Sequence, residues 1–402
     1  MKIGIVSDLH LGYERFFDDA YTQARDALEK ASELADVLII PGDIFDYRRP
    51  EPEVMAQAVE LFRDISRKQF EAKVIEYTGK NLYTNKPIIA IPGTHERRSE
   101  GAVDSVDVLH LAGLLVSVNK SKVVVEKSGE RIAVFGIGGV ADERFRETIK
   151  DAGFIPDANA FNIFMIHQTL YELLPFSKEF THIEELPEGF DLYVDGHIHS
   201  RVEMKCHGKD FLIPGSTVLT QLKGLEQEEK GFFIYDTKTY TYTFHKITSR
   251  PFSLIKIDIE DKDPKTITDS IQKAIESTII NNTTKQKPII KIEMTGKIKK
   301  GFKPIDINLG AISIERNDAI IEITKNNVEE VKASEEAEEI RARRMENMSI
   351  KDYGISIFLE KLSNNKYSLS LSPSKLFDIL SSDERKETAV NNAMKELFMD
   401  NN

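Results

Sequence analysis

Residues 194–200 read Val-Asp-Gly-His-Ile-His-Ser, an apolar strand that ends in two histidines two positions apart. Side chains in a strand repeat every second residue, so His197 and His199 point the same way. Gly196 before them lets the backbone turn or approach a ligand closely. The pattern favours a metal site, and ordinary surface histidines remain the simpler alternative for this stretch alone.

Four other apolar strands end in the same kinds of residue. The polar residues that follow these strands are Asp8 and His10, Asp43, His95, and His167. In sheets whose strands alternate with helices, ligands gather beyond the carboxyl ends of the strands, so one rim is expected to hold all of these side chains. The other histidines lack this setting and are predicted to be structural or surface residues: His110, His182, His207 and His245.

The composition is that of a globular protein with two or three domains: 402 residues, 41% hydrophobic, with a net charge of -12. The acidic balance argues against binding nucleic acid by bulk charge alone, although a locally basic groove remains compatible with it. The single Cys206 excludes an intramolecular disulfide and suits a reducing compartment. The first apolar run stops at Asp8, too early for a signal peptide or a membrane span, so a cytoplasmic protein is expected.

The pattern along the chain predicts an α/β domain followed by smaller parts. Strands alternate with helices, and the polar stretch 70–86 is interpreted as an inserted loop or hairpin. After Pro251 a small α+β unit is expected, then a Glu/Arg-rich linker and a helical region whose last helix begins at a capping box. That last helix packs either on its own domain or on a partner. The predicted domains are residues 1–250, 251–327, 328–349 and 350–402.

The predicted rim is rich enough in ligands for two metal ions. Carboxylates and imidazoles without a thiolate suit Mn, Fe or Zn better than a structural zinc site. Two ions about 3.5–4 Å apart, bridged by a carboxylate, clamp an in-line displacement at phosphorus. Asp43, on the tight turn after Gly42, is the natural bridge, and His95 is left to protonate the leaving oxygen or to stabilise the transition state.

The order of these motifs resembles the calcineurin-like metallophosphoesterase superfamily. The motifs are Asp8-x-His10, Gly42-Asp43-x-x-Asp46, Gly93-Thr94-His95-Glu96, His167 and Gly196-His197-x-His199, within about the first 200 residues. Within that superfamily the chain is similar to the DNA double-strand-break repair nucleases, specifically the archaeal relatives of the bacterial SbcD subunit. Features such as Arg49-Pro50, His167-Gln168 and Pro214-Gly215-Ser216-Thr217 support that similarity, whereas beyond Pro251 it is one of layout only.

The resemblance implies a fold and a distribution of ligands. The expected fold is a metallophosphoesterase-type layered β-sandwich flanked by helices, with a small α+β capping domain and a helical C-terminal region. One ion would bind Asp8, His10, Asp43 and His199. The second would bind Asp43, His167 and His197, with position 94 as a further ligand, and His95 would face the phosphate as the catalytic histidine. The implied cofactors are two divalent ions, with Mn²⁺ preferred.

Two residues depart from the pattern of those nucleases. The family has Asn where this chain has Thr94, and a Thr hydroxyl is a shorter and poorer ligand than an amide oxygen. Either the second ion binds more weakly or through water, or Thr94 only caps the turn and the site is otherwise intact. Many nuclease members also have His at the position of Asp46, which instead matches the wider superfamily.

The expected function is metal-dependent DNA nuclease activity on broken ends, with two alternatives. These are a phosphodiesterase for small nucleotides, and a DNA-bridging scaffold whose catalysis is weakened by Thr94. Basic side chains near the rim and in the second domain are candidate DNA contacts, and the alternative for each is an ordinary surface role. These candidates are Arg48, Arg49, Arg97, Arg98, Arg201, Lys297, Lys299, Lys300 and Lys303.

The resemblance also implies partners. DNA ends, a second copy of this chain, and an SMC-like coiled-coil ATPase bound through residues 350–402 are expected, with no membrane. The helices over 54–65 and 103–115 are candidate dimer contacts, unless their apolar faces belong to the core. A cytoplasmic, nucleoid-associated protein is the corresponding location.

Overall fold

A computed structural model describes residues 1–99, 101–174, 180–222, 224, 228–284, 286–299, 302, 304–309 and 318–324. The described chain contains two large sheets and one small one, with helices. The strands are β1 Lys2–Ile5, β2 Val37–Pro41, β3 Lys73–Tyr77, β4 Ile88–Ile91, β5 Val116–Ser117, β6 Ser121–Lys127, β7 Glu130–Ile137, β8 Phe161–Ile166, β9 Leu192–Asp195, β10 Val202–Cys206, β11 Lys209–Ile213, β12 Gly231–Asp236, β13 Thr241–Lys246, β14 Phe252–Asp258, β15 Ile289–Thr295 and β16 Ile320–Thr324. The helices are α1 Phe17–Leu34, α2 Pro52–Ser66, α3 Ser105–Leu111, α4 Asp142–Ala152 and α5 Pro264–Ile280.

The two large sheets carry the predicted ligands. The first sheet has the strand order β13-β12-β1-β2-β4-β5, and the second has the order β10-β11-β9-β8-β7-β6-β3. Strands β1, β2 and β4 are parallel neighbours in the first sheet, and β7, β8 and β9 are parallel neighbours in the second. The carboxyl ends of each parallel set therefore lie at one edge of its sheet.

The alternation of side chains along the strands explains the layers. Val37 and Ile39 of β2 belong to a buried cluster that also contains Val134 and Met165 of the second sheet. Leu38 and Ile40, on the opposite face of β2, join the cluster formed with α1, α2 and α3. On the second sheet, Phe135, Phe164 and Tyr193 form a third cluster with Phe145 of α4. The result is the predicted layered arrangement, in which sheet packs on sheet and helices cover the outer faces.

The prediction for residues 70–86 is wrong in one respect. The stretch contains β3, the edge strand of the second sheet, which pairs with β6 and has a register shift between Val74 and Glu76. Because only one side of an edge strand is paired and much of β3 is exposed, its residues are polar enough to look like a loop. Strands β5, β6 and β10 and helix α4 were not predicted.

Beyond residue 250 the described chain forms a three-stranded sheet in the order β14-β15-β16, together with α5. By packing, the described residues of 265–292 and 307–323 group with those of 1–257, while the described residues of 258–264 and 293–306 belong with Thr324 to a second unit. This division does not coincide with the predicted boundary after residue 250, and the bounds of the four predicted domains stay predictions. The predicted linker over 328–349 and the predicted helical region over 350–402 lie outside the described residues. Within the described part, no helix has both the length and the apolar character needed to cross a membrane.

Candidate metal centre

The predicted ligands follow five strands of the two large sheets. Asp8 and His10 follow β1, Asp43 follows β2, Thr94 and His95 follow β4, His167 follows β8, and His197 and His199 follow β9. Four of these residues have positive φ angles: Asp8 (52°), His10 (47°), Asp43 (48°) and His197 (69°). A non-glycine residue pays about 1–3 kcal/mol for such a conformation, and such strain clusters at functional sites. The backbone of the rim is therefore strained at four of the predicted site residues.

A first group of ligand atoms comes from Asp8, His10, Asp43 and His199, all within 4.8 Å of one another. The Nε2 atoms of His10 and His199 are 3.1 Å apart, and they lie 4.0 Å and 3.9 Å from Oδ1 of Asp8. Asp8, His10 and Asp43 are buried, whereas the side chain of His199 is 16% exposed. Two carboxylates and two imidazoles thus converge at a site that solvent reaches from one side.

A second group comes from Asp43, His167 and His197, and it shares Asp43 with the first. Nε2 of His167 lies 3.1 Å from Oδ2 of Asp43. The hydroxyl of Thr94 lies 3.4 Å from Oδ2 of Asp43 and 3.4 Å from Nδ1 of His197. A carboxylate common to two groups of ligands is the arrangement that a bridged pair of ions requires.

The second ring nitrogen of three of these histidines is already engaged. Nδ1 of His10 lies 3.0 Å from Oδ1 of Asp46, and Nδ1 of His199 lies 2.5 Å from Oγ1 of Thr220. Nδ1 of His167 lies 2.7 Å from the carbonyl oxygen of Pro41, which can only accept a hydrogen bond. A proton on Nδ1 leaves the lone pair on Nε2, and metal-binding histidines are held in this way by partners outside the metal's own ligands.

The buried polar atoms of the rim fit a divalent cation. Nε2 of His167 is fully buried and, within the described part of the chain, has no hydrogen-bond partner. It approaches Oδ2 of Asp43 without the alignment of a hydrogen bond. A buried imidazole nitrogen without a hydrogen bond, beside a buried carboxylate, is costly unless a proton or a metal cation lies between them. The donor set, oxygen and imidazole nitrogen without sulfur, suits Mn, Fe or Zn.

The electrostatics of the rim favour a ligand-competent protonation state at His197, His199 and Asp43. His167 differs: burial alone would lower its pKa, but Asp43 beside it raises that pKa to about 10, so an ion that binds there displaces a proton. Burial lowers the pKa of His197 to about 4, with a further contribution from His167. Burial, followed by His10 and Lys230, holds the pKa of His199 well below its usual value. Burial alone would raise the pKa of Asp43, but His167 holds it far below its usual range. Two neutral imidazoles and an ionised central carboxylate are what a divalent cation requires.

A buried carboxyl group fixes the loops after β2 and β4. Glu96 accepts hydrogen bonds from the backbone N–H of Phe45 (2.7 Å) and of Gly93 (2.6 Å). Burial and then Asp43 raise the pKa of Glu96 to about 8. Oδ1 of Asp43 in turn accepts a hydrogen bond from the backbone N–H of His95 at 2.9 Å. Asp43 and His95 are therefore held in fixed positions relative to each other.

His95 lies at the open side of the rim. Its side chain is 39% exposed, its Nδ1 lies 2.6 Å from the carbonyl oxygen of Asp46, and its ring centroid is 4.9 Å from that of His10. It belongs to neither of the two ligand groups described above, but with His10 and Asp46 it forms a third. This position suits a residue that contacts a bound substrate more than one that holds an ion.

The basic side chains predicted to contact DNA differ in their exposure and in the contacts that they make within the chain. The guanidinium of Arg201 lies 4.5 Å from the ring centroid of Phe244 and 3.5 Å from Glu203, and Nη1 of Arg98 donates to the carbonyl of Val103. Arg48 and Arg49 are exposed beside Asp46, and Arg97 is half-buried. Lys297 and Lys299 lie in the second unit, and Lys300 and Lys303 lie outside the described residues.

Sequence reasoning did not find three residues that shape the rim. Thr220 orients His199, Lys230 donates to the carbonyl of His199, and the buried Asp195 accepts a hydrogen bond from the backbone N–H of Gln168. Asp195 stands next to Gly196 at the end of β9, and no recognisable motif marks it as part of the rim. Thr220 and Lys230 come from a polar stretch with no recognisable motif, so only their position in space connects them with the ligands.

Comparison with known proteins agrees with this geometry. The model of the calcineurin-like phosphoesterases matches residues 1–201. A DNA double-strand break repair protein of Methanopyrus kandleri, Mre11, is 30% identical over 288 residues, covering 65% of this chain and 60% of that protein. The double-strand break repair protein mre-11 of Caenorhabditis elegans is 26% identical over 302 residues, covering 63% of this chain and 41% of that protein. The chain thus spans about half the length of these two relatives.

Proposed function

The chain belongs to the calcineurin-like phosphoesterase family, and on this premise we propose that it is a two-metal-dependent DNA nuclease acting on broken ends in double-strand-break repair. The observation that carries the proposal is Asp43, whose carboxylate is shared by two converging groups of ligands. The names of the relatives support DNA as the substrate. Members of the family use divalent metals, and we propose Mn²⁺ as the ion.

The residues would divide the work as follows. Asp8, His10, Asp43 and His199 would hold one ion, and Asp43, His167 and His197 the other. When bound, a pair of ions lowers the pKa of a water molecule and stabilises the charge of a phosphodiester. His95 would hold or deliver a proton at Nε2, since its Nδ1 is engaged by the carbonyl of Asp46.

Thr94 sits where a further ligand to the second ion is expected. Its hydroxyl is close enough to Asp43 and His197 to contact an ion between them, and equally close enough to form weak hydrogen bonds with both. The two interpretations, a weakly held second ion and a turn-capping residue beside an intact site, both remain open.

DNA would approach along the exposed arginines that follow Asp43. Arg48 and Arg49 are exposed on the loop that also carries Asp46, so phosphates bound there would lie next to His95. Arg98 and Arg201 are engaged by their own neighbours and are weaker candidates. Lys297 and Lys299 stay candidates on the basis of charge alone.

A homodimer is proposed through α3 rather than α2. The apolar residues of α2, including Ala58 and Leu61, are buried in the core cluster. On and beside α3, Val103, Val108 and Leu111 are 52%, 40% and 51% exposed. An apolar surface of this kind on an otherwise covered helix fits a second copy of the chain.

The remaining partners rest on the family resemblance. An SMC-like ATPase bound through residues 350–402, and a cytoplasmic, nucleoid-associated location, are proposed on that basis. These residues lie outside the described part of the chain.

The experiment is digestion of end-labelled linear duplex DNA with added Mn²⁺. Wild type is compared with His95→Ala and with protein kept metal-free by a chelator. Cleavage that requires both Mn²⁺ and His95 is expected, with a loss of at least about a hundredfold in the variant. The variant leaves both ligand groups intact, so its metal binding serves as the control for folding.

The same reaction distinguishes the alternatives. Metal-dependent hydrolysis of a small chromogenic phosphodiester without cleavage of DNA would replace the proposal with a small-nucleotide phosphodiesterase. Binding of DNA with no hydrolysis of either substrate would favour a scaffold whose catalysis is weakened by Thr94.

A further inference from the structure

Lys230 is a buried lysine whose ammonium group points at the backbone beneath the first ligand group. The residue is 5% exposed. Its Nζ donates to the carbonyl oxygen of His199 at 3.0 Å and to Oγ of Ser216 at 2.9 Å. Lysine is almost never buried unless its charge is hydrogen-bonded or paired, so this position has a cost that its contacts must offset.

The sheet topology explains why a residue so far along the chain reaches the rim. Lys230 immediately precedes β12, which pairs antiparallel with β1. In an antiparallel pair the start of one strand lies beside the end of the other, so the residue before β12 lies at the edge where Asp8 follows β1. The backbone carbonyl of Lys230 accepts a hydrogen bond from Ile247 at 3.0 Å, which ties its main chain to the segment after β13.

The carbonyl of His199 receives two close donors and a more distant third, Oγ of Ser216 at 3.4 Å. The backbone N–H of Ser216 donates to it at 3.1 Å, in addition to Nζ of Lys230 at 3.0 Å. Two donors fix the plane of the peptide that follows His199, and hence the direction in which its side chain leaves the backbone. A side chain at position 215 would collide with this carbonyl, since a Cβ on Gly215 would lie 2.8 Å from it.

The same contacts reach Asp8. Oγ of Ser216, which accepts from Lys230, donates to the carbonyl of Val218 at 2.7 Å. Between these two residues, the backbone N–H of Thr217 donates to the carbonyl of Asp8 at 3.2 Å. Ser216 also forms a parallel bridge with Ser7. Lys230 thus holds one loop, and that loop holds the backbone of both Asp8 and His199.

We propose that Lys230 is a positioning residue for the first ion. By fixing the loop 214–218 beneath Asp8 and His199, Lys230 sets the separation of these two ligands. It does not contact the ion's ligand atoms and takes no part in bond breaking. This inference rests on the two-metal centre proposed above. No sequence motif identifies Lys230. The inference predicts that Lys230 raises the affinity for the ion of the first ligand group and leaves the affinity for the second ion unchanged.

The test is a titration of the full chain with Mn²⁺ alone, followed by isothermal calorimetry, without DNA. Lys230→Met keeps the apolar stem of the side chain and removes the ammonium. In this variant the ion of the first ligand group is expected to bind about 10- to 100-fold more weakly, which is the usual effect of losing a partner that orients a ligand. The ion held by His167 and His197 should change by less than about threefold. Lys230→Arg, which keeps donors, is expected to recover part of the affinity.

A matched control is Lys291→Met. Lys291 is also largely buried, at 13% side-chain exposure, and its Nζ donates to the carbonyl of Leu222 at 3.2 Å. Its loss should lower the melting temperature without changing either Mn²⁺ affinity. If Lys230→Met does not fold, Ser216→Ala removes the hydroxyl that Lys230 binds, and a smaller weakening of the same ion is expected.

The outcomes separate this inference from the proposed function. A folded Lys230→Met or Ser216→Ala variant that binds both ions as wild type does would overturn it. Equal weakening of both ions would also overturn it, because that result indicates general loosening of the fold. Wild type that binds two ions but does not cleave DNA would remove the nuclease proposal and leave the role of Lys230 standing. Wild type that binds no Mn²⁺ would remove both.

Discussion

At the scale of single residues, the rim consists of buried polar groups, each of which alone would lower the stability of the folded chain. Asp43 is buried beside a histidine nitrogen without a hydrogen-bond partner among the described residues, and His167 holds the pKa of this carboxyl far below its usual range against the effect of burial. Burial raises the pKa of Asp8 to about 6, so its charged form is disfavoured without a cation nearby. The rim also contains four residues with positive φ angles. Such buried charges and strained residues lower the stability of the fold, and they cluster at sites that bind ligands.

Thr94 gives the first prediction. Replacing it with Asn supplies an amide oxygen, a better ligand than a neutral hydroxyl, between Asp43 and His197. We expect the second ion to bind about tenfold more tightly and the first to be unchanged, measured by calorimetric titration with Mn²⁺. Turnover should rise with it, while DNA affinity stays the same.

Thr94→Val is the matched control, since it keeps the shape of the side chain and removes the hydroxyl. If the hydroxyl contacts the second ion, this variant should bind that ion more weakly than wild type does. If Thr94 only caps the turn, the affinity is unchanged. An Asn variant with wild-type affinity for both ions would contradict the prediction.

Cys206 gives the second prediction. The thiol is 1% exposed, and burial raises its pKa to about 12. Only the thiolate is nucleophilic, and at pH 8 almost none is present in the native protein. The native chain should therefore react with a thiol-specific chromogenic disulfide reagent at least about a hundredfold more slowly than the chain in denaturant.

The denatured sample is the internal control, because Cys206 is the single cysteine of the sequence. It should release one equivalent of chromophore at the ordinary rate. Fast reaction of the native protein would show that the third core cluster, of which Cys206 is a member, opens readily.

At the scale of the elements, the site depends on loops that leave strands and pack tightly on each other. Glycines at 138 and 139 follow β7 and bear no ligand, yet they lie against the loop that carries Thr94. A Cβ on Gly139 would be 2.7 Å from the backbone N of Thr94, and the N–H of Gly139 donates to the carbonyl of Pro92. This glycine pair therefore allows the second sheet to approach the loop after β4 closely.

The helices give the third prediction, which concerns α3. Leu111→Glu places a charge on the exposed apolar surface of that helix and should convert a dimer into a monomer, because burying an unpaired charge in an interface is strongly unfavourable. Sedimentation velocity at micromolar concentration measures the change. Melting temperature should fall little, since Leu111 is 51% exposed.

Ile280→Glu is the matched control. Ile280 ends α5, is 82% exposed and lies on a different helix, so its replacement should leave the oligomeric state unchanged. A wild-type chain that sediments as a monomer, or a Leu111→Glu variant that stays dimeric, would rule out α3 as the interface.

At the scale of the whole molecule, two sheets each contribute part of one centre. Asp8, His10 and Asp43 come from the first sheet, and His167, His197 and His199 come from the second. The buried cluster between the sheets, which contains Ile39 and Val194, therefore sets the distance between the two halves of the site. Metal binding and the packing of the sandwich are coupled for this reason.

The fourth prediction follows from that coupling. Mn²⁺ at about a hundred times its dissociation constant adds about 2.7 kcal/mol per site, if the unfolded chain does not bind it. The melting temperature should rise by about 5 °C or more, measured by scanning calorimetry in chelator and in Mn²⁺.

The control is Asp43→Asn, which removes a charge common to both groups. Its melting temperature should respond to Mn²⁺ much less than that of wild type. An unchanged melting temperature of the wild type in Mn²⁺ would contradict a metal centre that joins the two sheets.

The sequence by itself determined the kinds of ligand, their places after apolar strands, and the order of motifs that identifies the family. These are local properties, because a run such as Val37–Ile40 followed by Gly42-Asp43 is readable without knowing its neighbours. Helices and strands with a strong period, such as α2 and β2, follow for the same reason. The weakly patterned edge strand β3 does not, since an edge strand meets the sheet on one side only.

Tertiary structure decided which ligands share a site and what holds them. Asp43 was expected as the bridge from its turn, but the distances that bring both groups of candidate ligands to it come from the tertiary structure. The contacts of Asp46 and Thr220 with His10 and His199, and the contact of Lys230 with the loop beneath them, also join residues distant along the chain. Such contacts are set by how two sheets pack and by the antiparallel pairing of β1 with β12. No local pattern encodes these distances, because they arise only when the whole core is assembled.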